Sequence, residues 1–219
     1  MSRLLLPMPK PKRSSSAKVT RKSTSESKTV GLRIVGGKFR GRKLQYSGDL
    51  RVRPMKDRVR EALFNLVGPS IKGKHALDLF GGTGALGLEA LSRGAVDALF
   101  VECHYPTAAI LKTNIKTIGV EDLCQVAVTD TFFWLEQQPS LSNESWVVFV
   151  SPPYEFFISR ADDMKHLVDT IYQMAPPESI LVVESDQRFD FDSFGDCYEW
   201  NLRNYAPARV GICRKPHPQ

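Results

Sequence analysis

The chain has few cysteines, few histidines and no long apolar run, and each shortage argues against a class of protein. Its 219 residues include four cysteines and four histidines. No two cysteines form a C-x-x-C pair and no histidine stands at metal-ligand spacing, which argues against a metal site and predicts a reducing compartment. No apolar run is long enough to span a bilayer, so we expect a soluble protein without a membrane partner.

Positive charge is concentrated in the N-terminal quarter of the chain. Residues 1–30 carry 8 Lys or Arg and 1 acid, residues 31–60 carry 10 and 2, and the rest carries 12 and 21. This asymmetry indicates a polyanionic partner that meets one end of the molecule, although a solvated charged face with a disordered tail is the alternative. Residues 1–30 are rich in Ser, Pro and basic residues, which predicts disorder. The same composition also leaves open an organelle transit peptide.

Residues 31–219 have the pattern of one folded domain. Two short basic strands and the start of an amphipathic helix come first, and apolar strand-like runs then alternate with helical ones. The alternation predicts an α/β fold with a doubly wound, mostly parallel sheet, and two closing strands near the C-terminus. We therefore expect a basic arm over residues 31–60 and a Rossmann-like core over residues 61–219.

A glycine-rich loop follows the first predicted strand, in the sequence ALDLFGGTGALG. It contains Gly81, Gly82, Gly84 and Gly87, and the last three fit the G-x-G-x-x-G pattern of nucleotide-binding loops. Glu102 follows the second strand, where a carboxylate can accept hydrogen bonds from two ribose hydroxyls. These features suit both NAD and S-adenosylmethionine, and do not separate the two cofactors.

Two further carboxylates are candidates for the cofactor site. Asp78 lies inside the strand before the glycines, where the pyrophosphate of NAD would come close, and its charge better suits the amine and sulfonium of S-adenosylmethionine. A buried carboxylate that caps the glycine turn is the alternative. Asp130 follows the third strand, where an ordinary helix N-cap is the competing explanation.

The sequence SPPY follows the fourth apolar run and comprises Ser151, Pro152, Pro153 and Tyr154. Proline cannot donate to a strand ladder, so the carbonyls here can face a ligand. The Ser151 hydroxyl and the Pro152 carbonyl could accept the N–H groups of a nucleobase amine while the Tyr154 ring stacks on the base. A simple strand-ending turn is the alternative.

The glycine loop and SPPY together resemble the class I S-adenosylmethionine-dependent amino-methyltransferases. RIVGGKFRGRKL from Arg33, RPMKDRVREALFN from Arg53 and LDLFGGTGALGLEALSRGA from Leu77 look like the RsmD family of 16S ribosomal RNA guanine-N2 methyltransferases. The resemblance implies methylation of one guanine on small-subunit ribosomal RNA or a 30S assembly particle, by a cytoplasmic protein that we expect to be a monomer. The basic residues expected to contact RNA are Arg33, Lys38, Arg40, Arg42, Lys43, Arg53, Arg58 and Arg60.

The sequence departs from the family pattern at three places. Ser151 stands where Asp or Asn is usual, Met55 replaces a hydroxyl residue, and the glycine after Tyr205 is missing. Because serine is the weaker acceptor, we expect that a change of Ser151 to Asp keeps or raises activity. A DNA amino-methyltransferase, a catalytically weakened RNA-binding assembly factor and an NAD oxidoreductase are the alternative functions, and the last leaves SPPY unexplained.

Overall fold

The computed structural model describes residues 31–49 and 52–217, so the expected tail over residues 1–30 lies outside the described part. The helices are α1 (Asp57–Val67), α2 (Ala85–Ser92), α3 (Tyr105–Ile118), α4 (Thr131–Glu136), α5 (Phe156–Ser159) and α6 (Ala161–Met174). The strands are β1 (His75–Asp78), β2 (Asp97–Val101), β3 (Cys124–Ala127), β4 (Trp146–Val150), β5 (Ile180–Asp186), β6 (Asn201–Tyr205) and β7 (Ala208–Arg214). Among the described residues, no helix is both long and apolar enough to cross a bilayer.

All seven strands form one sheet, in the order β3-β2-β1-β4-β5-β7-β6. The first five strands in that order are parallel, whereas β7 runs antiparallel to both β5 and β6. The predicted doubly wound, mostly parallel α/β sheet and its two closing strands are therefore confirmed. Strands β2 and β3 lie on one side of β1, whereas β4 and β5 lie on the other, so the strand order reverses between β1 and β4. Ligands of such sheets bind beyond the carboxyl ends of the strands at that point.

Alternate residues of β4 enter two hydrophobic cores on opposite faces of the sheet. Val147 and Phe149 pack in the core covered by α1, α2 and α3. Trp146, Val148 and Val150 pack in the core covered by α4, α5 and α6. A strand with apolar side chains on both faces is the expected centre of a parallel sheet, because helices cover it from both sides.

The basic segment before α1 packs on the core. Leu32, Ile34 and Leu44 are buried in the first core. The backbone N–H of Val35 donates to Glu89 Oε2 at 2.8 Å, which attaches the segment to α2. The boundary expected at residue 60 also falls inside α1. The described residues 31–49 and 52–60 therefore pack on the same core as the sheet, and the role of this segment as an RNA-contacting arm stays a prediction.

Candidate active site

The glycine loop and SPPY begin side by side at the carboxyl ends of β1 and β4. The two strands are paired in parallel, with Asp78 opposite Phe149. The backbone N–H of Leu79 donates to the Phe149 carbonyl at 3.0 Å, so the pairing continues to the point where the loops depart. The two motifs are far apart in the sequence, and the parallel pairing of β1 with β4 brings them together.

The glycine loop turns sharply into α2. Gly84 is the N-cap of α2, with φ 81°, and a Cβ at this position would stand 2.4 Å from a methyl carbon of Leu111. Gly87 has a different role, because a Cβ there would stand 2.4 Å from the Phe100 ring. Gly84 therefore allows the tight turn, and Gly87 lets α2 pack closely on β2. Gly81 and Gly82 lie earlier in the loop, where the Gly82 N–H donates to Glu102.

Asp78 is buried and keeps one oxygen without a partner. Its side chain is 1% exposed, Oδ2 accepts the Gly87 N–H at 3.1 Å, and Oδ1 has no hydrogen-bond partner among the described residues. Burial raises the pKa of Asp78 to about 7, with a smaller contribution in the same direction from the charge of Glu102. An unpaired buried carboxylate oxygen is costly. One oxygen of Asp78 thus caps the glycine turn, as the alternative explanation expected, and a contact between Asp78 and a cationic ligand group stays a prediction.

Glu102 contacts the glycine loop directly. Its Oε2 accepts the Gly82 N–H at 2.8 Å, and its Oε1 accepts the His104 N–H at 2.7 Å. A carboxylate has about four lone-pair sites, so each oxygen can still accept a ligand hydroxyl. The structure therefore brings this acid beside the glycines, as expected from its place after the second strand.

Asp130 forms the helix N-cap that was its alternative explanation. Its Oδ1 accepts the N–H groups of Phe132 and Phe133 at 2.9 and 3.2 Å, and Oδ2 lies 3.6 Å from the Arg160 guanidinium. The side chain is 46% exposed, so a ligand can also reach it. A contact between Asp130 and the cofactor stays a prediction.

An aromatic cluster lies beside SPPY. The rings of Phe80, Phe132 and Phe156 have centroids 6.3 Å apart in each pair. The Arg160 guanidinium stacks 3.8 Å from the centroid of Phe132. Phe80 directly follows β1 and Phe156 begins α5, so the cluster provides an apolar wall where the two motifs leave the sheet.

Ser151 and Tyr154 both donate hydrogen bonds to a buried carboxylate, Glu184. The Ser151 hydroxyl contacts Glu184 Oε2, and the Tyr154 hydroxyl donates to Oε1 at 2.8 Å. Glu184 is 6% exposed and lies on β5, whose Val183 is opposite Val150 of β4. Glu184 follows Val183 and Ser151 follows Val150, so the parallel register places the two residues side by side.

Burial raises the pKa of Glu184 above its ordinary value. The hydrogen bonds from Ser151 and Tyr154 act in the opposite direction, as does the positive charge of Arg53. Glu184 was not among the residues predicted from the sequence, although it directly follows the apolar run Ile180–Val183. Applying the strand-end rule to the fifth strand would have found it.

The carbonyl groups of SPPY are not equivalent. The Pro153 carbonyl accepts the Phe156 N–H at 2.9 Å and the Tyr154 carbonyl accepts the Phe157 N–H at 3.2 Å, which forms the turn into α5. Among the described residues, no N–H donates to the Pro152 carbonyl. SPPY is thus a strand-ending turn and also leaves one carbonyl available to a ligand, so the two explanations of the motif are compatible.

Seven of the eight basic residues expected to contact RNA are exposed. Arg53 is the one whose charge reaches the site, because it lowers the pKa of both Glu184 and Tyr154. Arg42 donates to the Ile118 carbonyl at 2.5 Å, and Arg33 pairs with Asp57 at 3.0 Å. The exposed residues are Arg33, Lys38, Arg40, Arg42, Lys43, Arg53 and Arg58.

Arg60 is a correction to the expected RNA surface, because its side chain is 0% exposed. It donates to the carbonyls of Met55 and Arg33 and to Asp57, and it lies 3.8 Å from the buried carboxylate of Glu89. Burial lowers the pKa of Arg60, and the two acids oppose that effect. This cation fastens the basic segment to α1 and α2 and cannot reach a phosphate. Met55, the second departure from the family pattern, is itself buried in the first core.

Within residues 31–49 and 52–217, no group of three or more His, Cys, Asp or Glu side chains could hold a metal ion. The four cysteines form no disulfide, and Cys213 is buried while Cys103 and Cys197 are exposed. Burial raises the pKa of Cys213 to about 11.

Comparison with known proteins relates the fold and the site to methyltransferases. A family model described as conserved hypothetical protein 95 matches residues 32–207. Ribosomal RNA small subunit methyltransferase D of Escherichia coli is 36% identical over 170 residues, which cover 75% of this chain and 80% of that protein. The candidate rRNA methyltransferase YlbH of Bacillus subtilis is 31% identical over 187 residues, 84% of this chain and 99% of the relative. The solved structure of the candidate methyltransferase YhhF of Escherichia coli superposes with a TM-score of 0.71 at 28% identity, covering 85% of this chain and 99% of that one.

Proposed function

Because the chain belongs to the family of the ribosomal RNA small subunit methyltransferases D, we propose that it methylates the exocyclic N2 of a guanine in small-subunit ribosomal RNA, with S-adenosylmethionine as the donor. The observation that carries this proposal is the adjacency of two half-sites at the β1–β4 junction. One holds an unpaired buried carboxylate in a glycine turn, and the other presents a hydroxyl, a free carbonyl and an aromatic ring.

The first half-site fits S-adenosylmethionine, which supplies an electrophilic methyl group when bound. The orphaned Oδ1 of Asp78 suits its ammonium or sulfonium, since a positive charge offsets the burial of the carboxylate. Glu102 would accept the ribose hydroxyls while it stays bonded to Gly82. Such an arrangement does not favour NAD, whose pyrophosphate would be repelled by a nearby carboxylate.

The second half-site fits an exocyclic amine, which offers N–H donors and has a poorly nucleophilic, delocalised lone pair. The Ser151 oxygen and the Pro152 carbonyl can accept its two N–H groups and aim the nitrogen, and positioning of this kind lowers the barrier. The Tyr154 ring can stack on a base that has been flipped out of its helix. No histidine is needed as a base, since the amine becomes strongly acidic once methylated.

The exposed basic residues before and within α1 are proposed to contact RNA phosphates. Phosphate contacts position the substrate without reading its sequence. Arg53 would connect this surface to the site, since its charge acts on Glu184 and Tyr154. The substrate also implies a cytoplasmic location. The monomeric state stays a prediction, to be tested by light scattering.

Mass mapping of small-subunit ribosomal RNA from cells with and without the gene tests this proposal. We expect one N2-methylguanosine to be lost in the deletion strain and to return when purified protein and S-adenosylmethionine are added to the unmethylated 30S particles. Parallel reactions on naked 16S RNA and on 30S particles identify the substrate form. A product on adenine or cytosine, or no change in the methylated nucleotides, would reject the proposed specificity.

A further inference from the structure

A buried carboxylate accepts a hydrogen bond from the hydroxyl of Ser151, the serine proposed to hold the substrate amine. Glu184 Oε2 accepts from Ser151, and Oε1 accepts from Tyr154 at 2.8 Å. We propose that Glu184 is a positioning residue, which turns the Ser151 proton away from the substrate so that Oγ presents lone pairs to the amine. This inference rests on the proposed function, since it concerns the acceptor for that amine.

The orientation matters because a hydroxyl can either donate or accept. A serine oxygen has two lone pairs and one rotatable proton, whereas a carboxylate or amide oxygen is always an acceptor. With its proton pointing at the base, Ser151 would oppose the N–H groups it has to hold. A carboxylate held against it by the β4–β5 register removes that freedom, because an ionised acid accepts and never donates.

The surroundings of Glu184 favour this role over a purely structural one. A charged group on a buried strand costs desolvation free energy unless hydrogen bonds and charges compensate. Both hydroxyls that compensate Glu184 belong to SPPY, and the nearby positive charge belongs to Arg53 at the same site. The buried carboxylate and the groups that stabilise its charge thus all lie at the base-binding half of the site.

The pairing also changes the expectation for residue 151. An asparagine could donate its amide N–H to Glu184 and turn its carbonyl oxygen to the substrate, which preserves both contacts. An aspartate would place a second carboxylate against Glu184, and two such groups compete for one proton. We therefore expect Ser151→Asn to retain activity and Ser151→Asp to lose it, which replaces the expectation drawn from the sequence.

A double-mutant cycle tests the inference by single-turnover methyl transfer to unmethylated 30S particles. In Glu184→Gln the new amide can donate to Ser151, so the serine proton is free to turn towards the base. We expect the rate constant at saturating cofactor and RNA to fall about 10- to 100-fold, the loss that corresponds to one hydrogen bond to a charged group. Adding Ser151→Asp to Glu184→Gln should restore the rate at least fivefold, since the glutamine amide then donates to a carboxylate that remains an acceptor.

Glu155→Gln is the matched control, because it makes the same chemical change at an exposed residue next to Tyr154 and should leave the rate unchanged. Thermal melts and cofactor affinities of all variants separate misfolding from a catalytic loss. The inference is overturned if Glu184→Gln turns over within twofold of the wild type, or if the double variant is no faster than Glu184→Gln.

The same assay separates this inference from the proposed function. A wild-type product other than N2-methylguanosine, on another exocyclic amine, would reject the guanine assignment while the cycle still decides the role of Glu184. Absence of any transfer by the wild-type protein would reject both.

Discussion

Asp78 and Glu184 are both buried acids near the carboxyl ends of parallel strands, yet their hydrogen bonding differs. Asp78 Oδ1 has no partner among the described residues, whereas both oxygens of Glu184 accept from hydroxyls. Burial raises the pKa of each. This difference underlies the two proposals, in which a cationic ligand group pairs with Asp78 and Glu184 acts through Ser151.

The largest expected effect is the pH dependence of stability caused by Asp78. Its pKa is about 7 in the folded protein, against 3.8 for an unperturbed aspartate side chain. Between these values the folded state holds a proton that the unfolded chain has released, so the free energy of unfolding falls as pH rises. The loss approaches about 1.4 kcal/mol per pH unit and up to about 4 kcal/mol in total.

Chemical denaturation of the cofactor-free protein at about pH 4 and about pH 7 measures this dependence. Asp78→Asn should reduce it, because the amide does not titrate, with a remainder from Glu184, whose pKa is also raised, and exposed Asp122→Asn should leave it unchanged. If the slope of Asp78→Asn equals that of the wild type, Asp78 is not the group responsible.

Glu102→Ala addresses the cofactor half of the comparison. We expect S-adenosylmethionine binding to weaken by about 1.5 to 3 kcal/mol, the usual loss for hydrogen bonds to a charged acceptor. Part of this loss reflects a looser glycine loop, since Glu102 also accepts the Gly82 N–H. Calorimetry gives the affinity, and an unchanged value would remove Glu102 from the site.

Tyr154→Ala addresses the base half. Loss of a stacked ring should weaken RNA binding by about 1 to 3 kcal/mol, with cofactor affinity unchanged. Tyr154→Phe removes one of the two donors to Glu184. Because it keeps the ring, most of the RNA affinity should remain. Wild-type single-turnover rates in Tyr154→Ala would contradict stacking of the target base.

Arg53→Gln has the smallest expected effect, on the salt dependence of RNA binding. Removing one phosphate contact should reduce the log–log slope by about one unit. Arg203→Gln is the control, since Arg203 is exposed on the edge strand β6. A slope unchanged by Arg53→Gln, together with weaker cofactor binding, would assign Arg53 to the cofactor pocket instead.

The sequence was sufficient for features that are local in the chain. Strand and helix alternation predicted the sheet, and the strand-end rule placed Asp78, Glu102 and SPPY at one edge because parallel strands share that edge. Glu184 was missed because its contact with Ser151 spans 33 residues and depends on β5 lying next to β4. The strand-end rule applied to the fifth strand would have made Glu184 a candidate, but its pairing with Ser151 needs the strand order.

The charge of the basic segment does not reveal which of its residues hold it on the core. Leu32, Ile34 and Leu44 are buried, so burial of apolar surface holds the segment on the core. Arg60 could not be separated from the exposed cations by composition. Its burial depends on Glu89, which lies on another helix.

Parallel calorimetric titration of S-adenosylmethionine into Asp78→Asn and Glu184→Gln tests most directly whether the two acids have different roles. Loss of a charged hydrogen bond to the ligand should weaken binding to Asp78→Asn by about 10- to 100-fold, while Glu184→Gln should bind within twofold of the wild type. Equal losses in the two variants, or a loss confined to Glu184→Gln, would contradict this assignment.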